Sequence, residues 1–434
     1  MHYATLLIAT QLATHCACYL RGDQPAKASL TTHAFREAAT GLVMHKDLVR
    51  EQRVSREVVH EVIFVVKQLN VDALGNMLDD VSDPTSPNYG KHMTAAEIND
   101  ITGNPTARDA VVSYLEGAGA NVTSESLFGE YITAQAPVSL WEGMFNTKFY
   151  SYAVQTATKG VAMRPLSQVV RYIRSEAYSV PIDLDEHVAS VMNTVQMPTM
   201  NSNELKLKKP SSKSAMNALD FNVESAGYIT PADLLAAYNV DSSISHPLAT
   251  QATFEANSNM YSPGDLRTFQ TTFNLPFTNV NTTVYNMSAS VAYCNANVGL
   301  CGEGNLDIQY MMALSTSPTI YYYSNLGLSS SWLAMVASTP APPKVISISY
   351  GCDESYVGTG ELDAFAVQAM KLGLMGTTIV VSTGDDGAPG WYARSDPTQC
   401  RYTAIWPASC PYITSIGATM VSDLSCFDPC CNLY

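Results

Sequence analysis

Between residues 61 and 153 the apolar positions fall into short, distinct periods. EVIFVVKQL, from Glu61, is a nearly continuous apolar run and predicts a strand. VDALGNMLDDVSD then puts Val71, Leu74, Leu78 and Val81 on one face of a helix. Thr94 stands as an N-cap before AAEINDIT, and Pro105 opens TARDAVVSYLEGAG as the first residue of a further helix. ANVTSESL and EYITAQAP predict paired strands, and VSLWEGMF a last helix. The segment therefore predicts a small α+β unit. It contains no cysteine and no cluster of catalytic residue types.

From Ile229 onward the period changes. A helix over 304–315 leads to TIYYYS at 319–324, and a helix near 330–338 leads to KVISISY at 344–350. GELDAFAVQAMKLG leads to TTIVVSTG at 377–384. Helices alternating with continuously apolar strands predict a parallel sheet covered on both faces. Sites on such sheets form beyond the carboxyl ends of the strands, where GCDES at 351–355 and STGDDGAPG at 382–390 lie. Between the two regions, NSNELKLKKPSSKSAMN at 201–217 is polar and basic around Pro210 and reads as an exposed linker open to proteases.

The chain has 434 residues, 46% of them hydrophobic, enough for two or three cores. A net charge of -15 argues against nucleic acid or anionic membrane as a partner. Residues 1–18 are apolar, uncharged apart from His2 and His15, and end in small residues, as in a signal peptide. No other run is long enough to span a membrane. Cys16 and Cys18 would leave with such a signal. The other eight cysteines begin at Cys294, and Cys294 and Cys301 bracket a loop short enough for a disulfide. A zinc site is the rival reading, opposed by the lack of any C-x-x-C pair. Asn121, Asn281 and Asn286 begin glycosylation sequons usable in a secreted chain.

The last histidine is His246, so the α/β region cannot supply a histidine base or ligand of its own. Its chemistry must rest on carboxylates. In GEGNLDIQYMMAL, residues 302–314, Glu303 and Asp307 are four apart on one helical face, where like charges repel. Leu306, Ile308, Met311, Met312 and Leu314 make the rest of that helix read as buried. Repulsion splits the pair's titration into two coupled steps, one of them raised. Asp385 follows an apolar strand in a turn flanked by Gly384 and Gly387. In an apolar pocket it would keep its proton and donate to a developing oxyanion, with Asp386 solvated. Each acid also has a structural explanation: an acid in a first helical turn favours the dipole, and Gly-Asp turns are common. Two carboxylates facing a cleft also suit glycoside hydrolysis, the reading from another enzyme class.

GEGNLDIQY, VISISYG, VVSTGDDGAPG and WPASCPYITSIGAT, with ITPADLLAAYNV at 229–240 and DPTSPNYGKHMT before them, resemble in order the sedolisin family of serine-carboxyl peptidases. The resemblance implies a subtilisin-like parallel sheet covered by helices, C-terminally incomplete here, preceded by an α+β ferredoxin-like activation prodomain. It divides the chain into a signal peptide at 1–18, a prodomain at 57–198, a linker at 199–228 and a peptidase domain from 229 to 434. It further implies a Ser-Glu-Asp triad acting on peptide bonds at acidic pH. Glu303 would be the base, Asp307 its orienter, and Asp385 part of the oxyanion hole. The prodomain would be an intramolecular inhibitor, the location secretory or lysosomal, and calcium the cofactor, its site lying beyond this chain. The family's nucleophile sits in Gly-Thr-Ser, which this sequence does not contain. The expectation is therefore a peptidase by family with little or no activity in this chain, either as a truncated form or as an inactive homologue that binds peptides.

Overall fold

The computed structural model describes residues 33–38, 48–154, 171–197, 229–241, 246, 248–256, 259–284, 288–324, 327–388, 390, 398 and 403–418. The expected signal peptide and linker, Asn286 and the cysteines other than Cys294, Cys301, Cys352 and Cys410 lie outside them. Cys294 and Cys301 form the expected disulfide, with an S–S distance of 2.13 Å. Cys352 and Cys410 are free thiols.

The N-terminal region opens with β1 (His33–Ala38), β2 (Leu48–Arg53) and β3 (Val59–Val66). Helices α1 (Val71–Ser82), α2 (Ala95–Thr102) and α3 (Pro105–Gly117) follow, then β4 (Asn121–Glu125), β5 (Tyr131–Pro137) and α4 (Val138–Met144). It closes with β6 (Phe149–Val154), β7 (Arg171–Ser175), β8 (Ala177–Pro181), α5 (Ile182–Asp185) and β9 (Val188–Met192). The predicted caps are present. Thr94 and Glu97 form a reciprocal capping box at α2, and Pro105 occupies the first turn of α3.

Four strands form an antiparallel sheet in the order β4-β5-β3-β9, the ferredoxin-like arrangement. The apolar run of β3 is continuous because both of its faces are buried. Val62, Phe64 and Val66 pack into a core with Val111, Leu115, Trp141 and Phe145. Ile63 and Val65 face the other way, against Ala334 and Ala364 of the C-terminal region. The unit also starts earlier than residue 57, since β1 pairs with β8 and β2 with β6. These pairings are far apart in sequence and leave no local signal. His60 is structural: its Nε2 lies 2.9 Å from the Asn193 carbonyl oxygen, and burial pushes its pKa down to about 4.

The C-terminal region runs α6 (Pro231–Ala237), β10 (Gln251–Ala256), α7 (Pro263–Thr272), β11 (Thr282–Val284), α8 (Val291–Ala296) and α9 (Gly302–Leu314). It continues with β12 (Thr319–Ser324), α10 (Ser330–Ala337), β13 (Val345–Ile348), β14 (Cys352–Asp353), α11 (Thr359–Leu374), β15 (Thr378–Ser382), β16 (Ile405–Trp406) and β17 (Thr414–Ile416). Six of these strands form one parallel sheet in the order β11-β12-β10-β13-β15-β17. Alternation along the strands sorts the two faces. Phe254, Tyr322, Ile346 and Ile348 turn to a core shared with Trp332, Leu333 and Phe365 of α10 and α11. Tyr321 and Tyr323 turn to Ile308 and Met312 of α9. This is the α/β parallel architecture that the sequence predicts.

The two regions meet on α10 and α11. Leu78 of α1 lies where a Cβ on Gly373 would come within 2.7 Å of it, so glycine lets the helices close. The Met93 amide donates to the Leu374 carbonyl at 2.8 Å. Lys371 of α11 reaches the Glu130 carboxylate at 3.2 Å, with 6% and 8% of the two side chains exposed, and Ser126 donates to the other Glu130 oxygen. Burial drives the Lys371 pKa down, and the Glu130 carboxylate opposes that shift. Removing one member of a buried pair strands the other charge. Lys371→Met is expected to lower stability by about 3–5 kcal/mol in urea unfolding of the full chain. Glu130→Leu combined with Lys371→Met is expected to recover most of that loss; a double variant no more stable than Lys371→Met would contradict the pairing.

Candidate active site

Helix α9 carries the two acids singled out by spacing, and its start is held from three sides. The Cys294–Cys301 disulfide ends one residue before it. Asn305 accepts from the Ser262 amide at 2.8 Å. A Cβ at Gly304 would meet the Met260 backbone and the Tyr321 hydroxyl at 2.9 Å, so only glycine lets the helix approach this closely. Of the apolar residues expected inside, Ile308 and Met312 are buried, while Leu306 is 42% exposed. Leu306 lies on the outer side of a helix whose inner face is given to carboxylates.

Asp307 is anchored by hydroxyls from two strands. Thr253 of β10 donates to its Oδ2 at 3.1 Å, and Ser349, one residue beyond β13, donates to the same oxygen at 2.8 Å. Glu255 lies two residues after Thr253 on the same face of β10 and is fully buried. The Tyr350 hydroxyl donates to Glu255 Oε2 at 2.6 Å and in turn accepts from Asn259 Nδ2 at 2.8 Å. Three carboxyl groups, Glu255, Asp307 and Glu303, therefore share one partly enclosed site at the carboxyl edge of the sheet.

Their electrostatics follow from burial and proximity. Burial raises Glu255 well above the usual carboxylate range, and the charge of Asp307 adds to the shift. Glu255 thus keeps its proton and hydrogen-bonds Asp307, which favours charge on Asp307. Burial still raises Asp307, against hydrogen bonds from Ser349, Glu255 and Thr253. Glu303 is pushed up to about 8 by burial first, then by the charges of Asp307 and Asp385.

Asp385 stands in the turn after β15, where Gly384 and Gly387 both have positive φ, at 89° and 60°. Its charge acts on Glu303, so the fold brings it to the pair. Among the described residues it is exposed rather than enclosed. Sequence reasoning missed Glu255 altogether. QATFEA is too short and mixed to predict a strand, and a lone glutamate in such a segment gives no sign of burial. The available signal was its two-residue spacing from Thr253, which puts both side chains on one face.

The pro-kumamolisin activation domain model matches residues 46–197. Physarolisin of Physarum polycephalum is 28% identical over 410 residues, covering 90% of this chain and 65% of that protein. Tripeptidyl-peptidase 1 of Homo sapiens is 25% identical over 368 residues, covering 82% of this chain and 61% of that protein. These matches support the resemblance to the sedolisin family. The chain spans less than two thirds of the length of these two relatives. Among solved structures, Pseudomonas sedolisin, a serine-carboxyl proteinase complexed with two molecules of pseudo-iodotyrostatin, aligns at a TM-score of 0.33 and 20% identity over 45% of this chain and 55% of its own. At that score the superposition carries no weight beside the sequence matches.

Sedolisins are implied by the resemblance to bind calcium. Among the described residues no group of three or more His, Cys, Asp or Glu could hold a metal ion, so no ligand is assigned. No described helix is long and apolar enough to cross a membrane.

The raised Glu303 pKa makes stability depend on pH. A carboxyl raised from about 4.5 when unfolded to about 8 when folded contributes fully below the lower value and loses that contribution as pH rises through the upper one. Glu303→Gln, neutral throughout, is expected to lose less stability between pH 5 and pH 8 than the wild-type chain, the remaining loss coming from other raised carboxyls such as Glu361. The wild-type chain is expected to be less stable at pH 8 than at pH 5 by on the order of 2 kcal/mol.

Proposed function

We propose that this chain carries the proton-handling part of a Ser-Glu-Asp peptidase site and that its substrates are peptides or proteins. Glu303 is the general base, Asp307 orients it and shares its proton, and Asp385 contributes to the oxyanion hole. The observation that carries the reading is the set of three electrostatically coupled carboxyls at the start of α9. With one proton between Glu303 and Asp307, the pair holds a single negative charge. When that charge rests on Glu303 it can accept a hydroxyl proton, while the proton on Asp307 keeps repulsion low. Glu255 stays neutral beneath them and donates to Asp307. The working form is lost once both acids ionise, which ties activity to the acid side of the upper titration.

The N-terminal unit acts on this reading as an activation prodomain and inhibitor, removed by cleavage within 199–228, in a secretory or lysosomal setting. Two observations support it: the activation-domain match over 46–197, and the closeness of Tyr172 on β7 to Tyr323 near the end of β12, the strand beside Glu255. Calcium, if held, would be held by residues other than those described.

A chimera extended with the C-terminal third of physarolisin tests the roles directly. It is expected to cleave peptides at acidic pH, and Glu303→Gln is expected to lower kcat/KM by roughly 10²–10⁴-fold. The 434-residue chain alone is expected to show only residual cleavage. An active chimera indifferent to Glu303→Gln would overturn the assignment of the base.

A further inference from the structure

We propose that Ser349 is a positioning residue for the carboxylate pair, its single hydroxyl proton turning to whichever of Asp307 and Glu303 carries the charge and so joining their protonation into one process. The inference rests on the reading of Glu303 and Asp307 as base and orienter, but its test reads ionisation rather than cleavage.

The placement begins with strand alternation. Ile346 and Ile348 turn to the α10 and α11 core, so Ser347 and Ser349 turn toward α9. Ser349 lies just past the end of β13, where the backbone leaves the sheet at its carboxyl edge. Its hydroxyl donates to Asp307 Oδ2 at 2.8 Å and also stabilises the ionised form of Glu303. A hydroxyl has one proton to give, so it serves one of the two acids at a time.

The same arrangement occurs one step deeper. The Thr253 hydroxyl lies 3.1 Å from Asp307 Oδ2 and 3.5 Å from Glu255 Oε1. Each hydroxyl therefore stands at a boundary between neighbouring carboxyls, Thr253 between Glu255 and Asp307, Ser349 between Asp307 and Glu303. The charged and titratable groups around Ser349 come from every element that packs there. Strand β10 gives Glu255, α9 gives Glu303 and Asp307, the turn after β15 gives Asp385, and Tyr350 follows in the chain. None of these is a cation, so hydroxyl donors supply the stabilisation that a lysine or arginine would otherwise give.

The experiment is a pH titration of carboxyl groups in the full 434-residue chain, followed by ¹³C NMR on Asp and Glu labelled at the side-chain carboxyl. The signals of the pair are assigned by their loss or displacement in Glu303→Gln. Near-ultraviolet circular dichroism verifies that each variant is folded. In Ser349→Ala the lower step of the pair is expected to move up by about one pH unit, a tenfold change in proton affinity. Ser349→Thr, which keeps the hydroxyl, is expected to return it to within a few tenths of a unit of wild type. An unmoved step in Ser349→Ala, or a moved step that Thr does not rescue, overturns the proposal. Covalent labelling of Ser349 by a fluorophosphonate also overturns it, because the hydroxyl would then be a nucleophile. Failure of the peptidase reading shows separately, as a chimera that ignores Glu303→Gln while the titration still responds to Ser349.

Discussion

The site depends on the cost of burying carboxylates side by side. A single buried carboxyl shifts its pKa until it holds a proton. Three of them acting on one another cannot all ionise, and the fold settles which does. Tyr350 and Asn259 fix Glu255 in place, Thr253 and Ser349 favour charge on Asp307, and Glu303 feels the charges of both Asp307 and the exposed Asp385. The gradient runs from a fully buried neutral acid to a partly exposed one with a pKa of about 8. A sheet with no histidine from Gln251 onward thereby obtains a group that titrates near neutrality.

The rest of the C-terminal region can be understood as support for that gradient. Gly304 lets α9 approach β12, and the Cys294–Cys301 disulfide fixes the chain just before it. On the opposite face, α10 and α11 complete the core and offer their outer sides to β3 and β5 of the N-terminal unit. That contact is itself built with buried polar groups. Glu361 caps the start of α10 through the Ser330 amide and hydroxyl, and burial pushes it up to about 7. Glu37 of β1 lies against Gly358 and Gly360, where any side chain would collide with it or with Ser190. Both the site and the interface between the regions are therefore sensitive to the same pH range.

Much of this was legible in the sequence, for identifiable reasons. Four-residue spacing placed Glu303 and Asp307 on one face of a helix without reference to any partner. Apolar continuity marked β12, β13 and β15, and the Thr94 and Pro105 signals gave helix starts within a residue. Long-range relations were not legible. Glu255 sits in a strand whose burial is known only once β12 and β13 flank it. Glu130 and Lys371 look like ordinary surface charges until the two regions close over them. Asp385 is a further case: its position in the turn was readable, but its exposure was not.

Proton uptake by the folded chain tests the central claim most directly, because it counts protons held by the cluster whether or not peptides are cut. Potentiometric titration of the wild-type chain and of Glu303→Gln, from pH 9 down to pH 6, gives the difference between them. The wild type is expected to take up close to one more proton, with a midpoint near pH 8. Matching curves over that range would mean that Glu303 titrates as an ordinary glutamate, and the shared-proton account would fail.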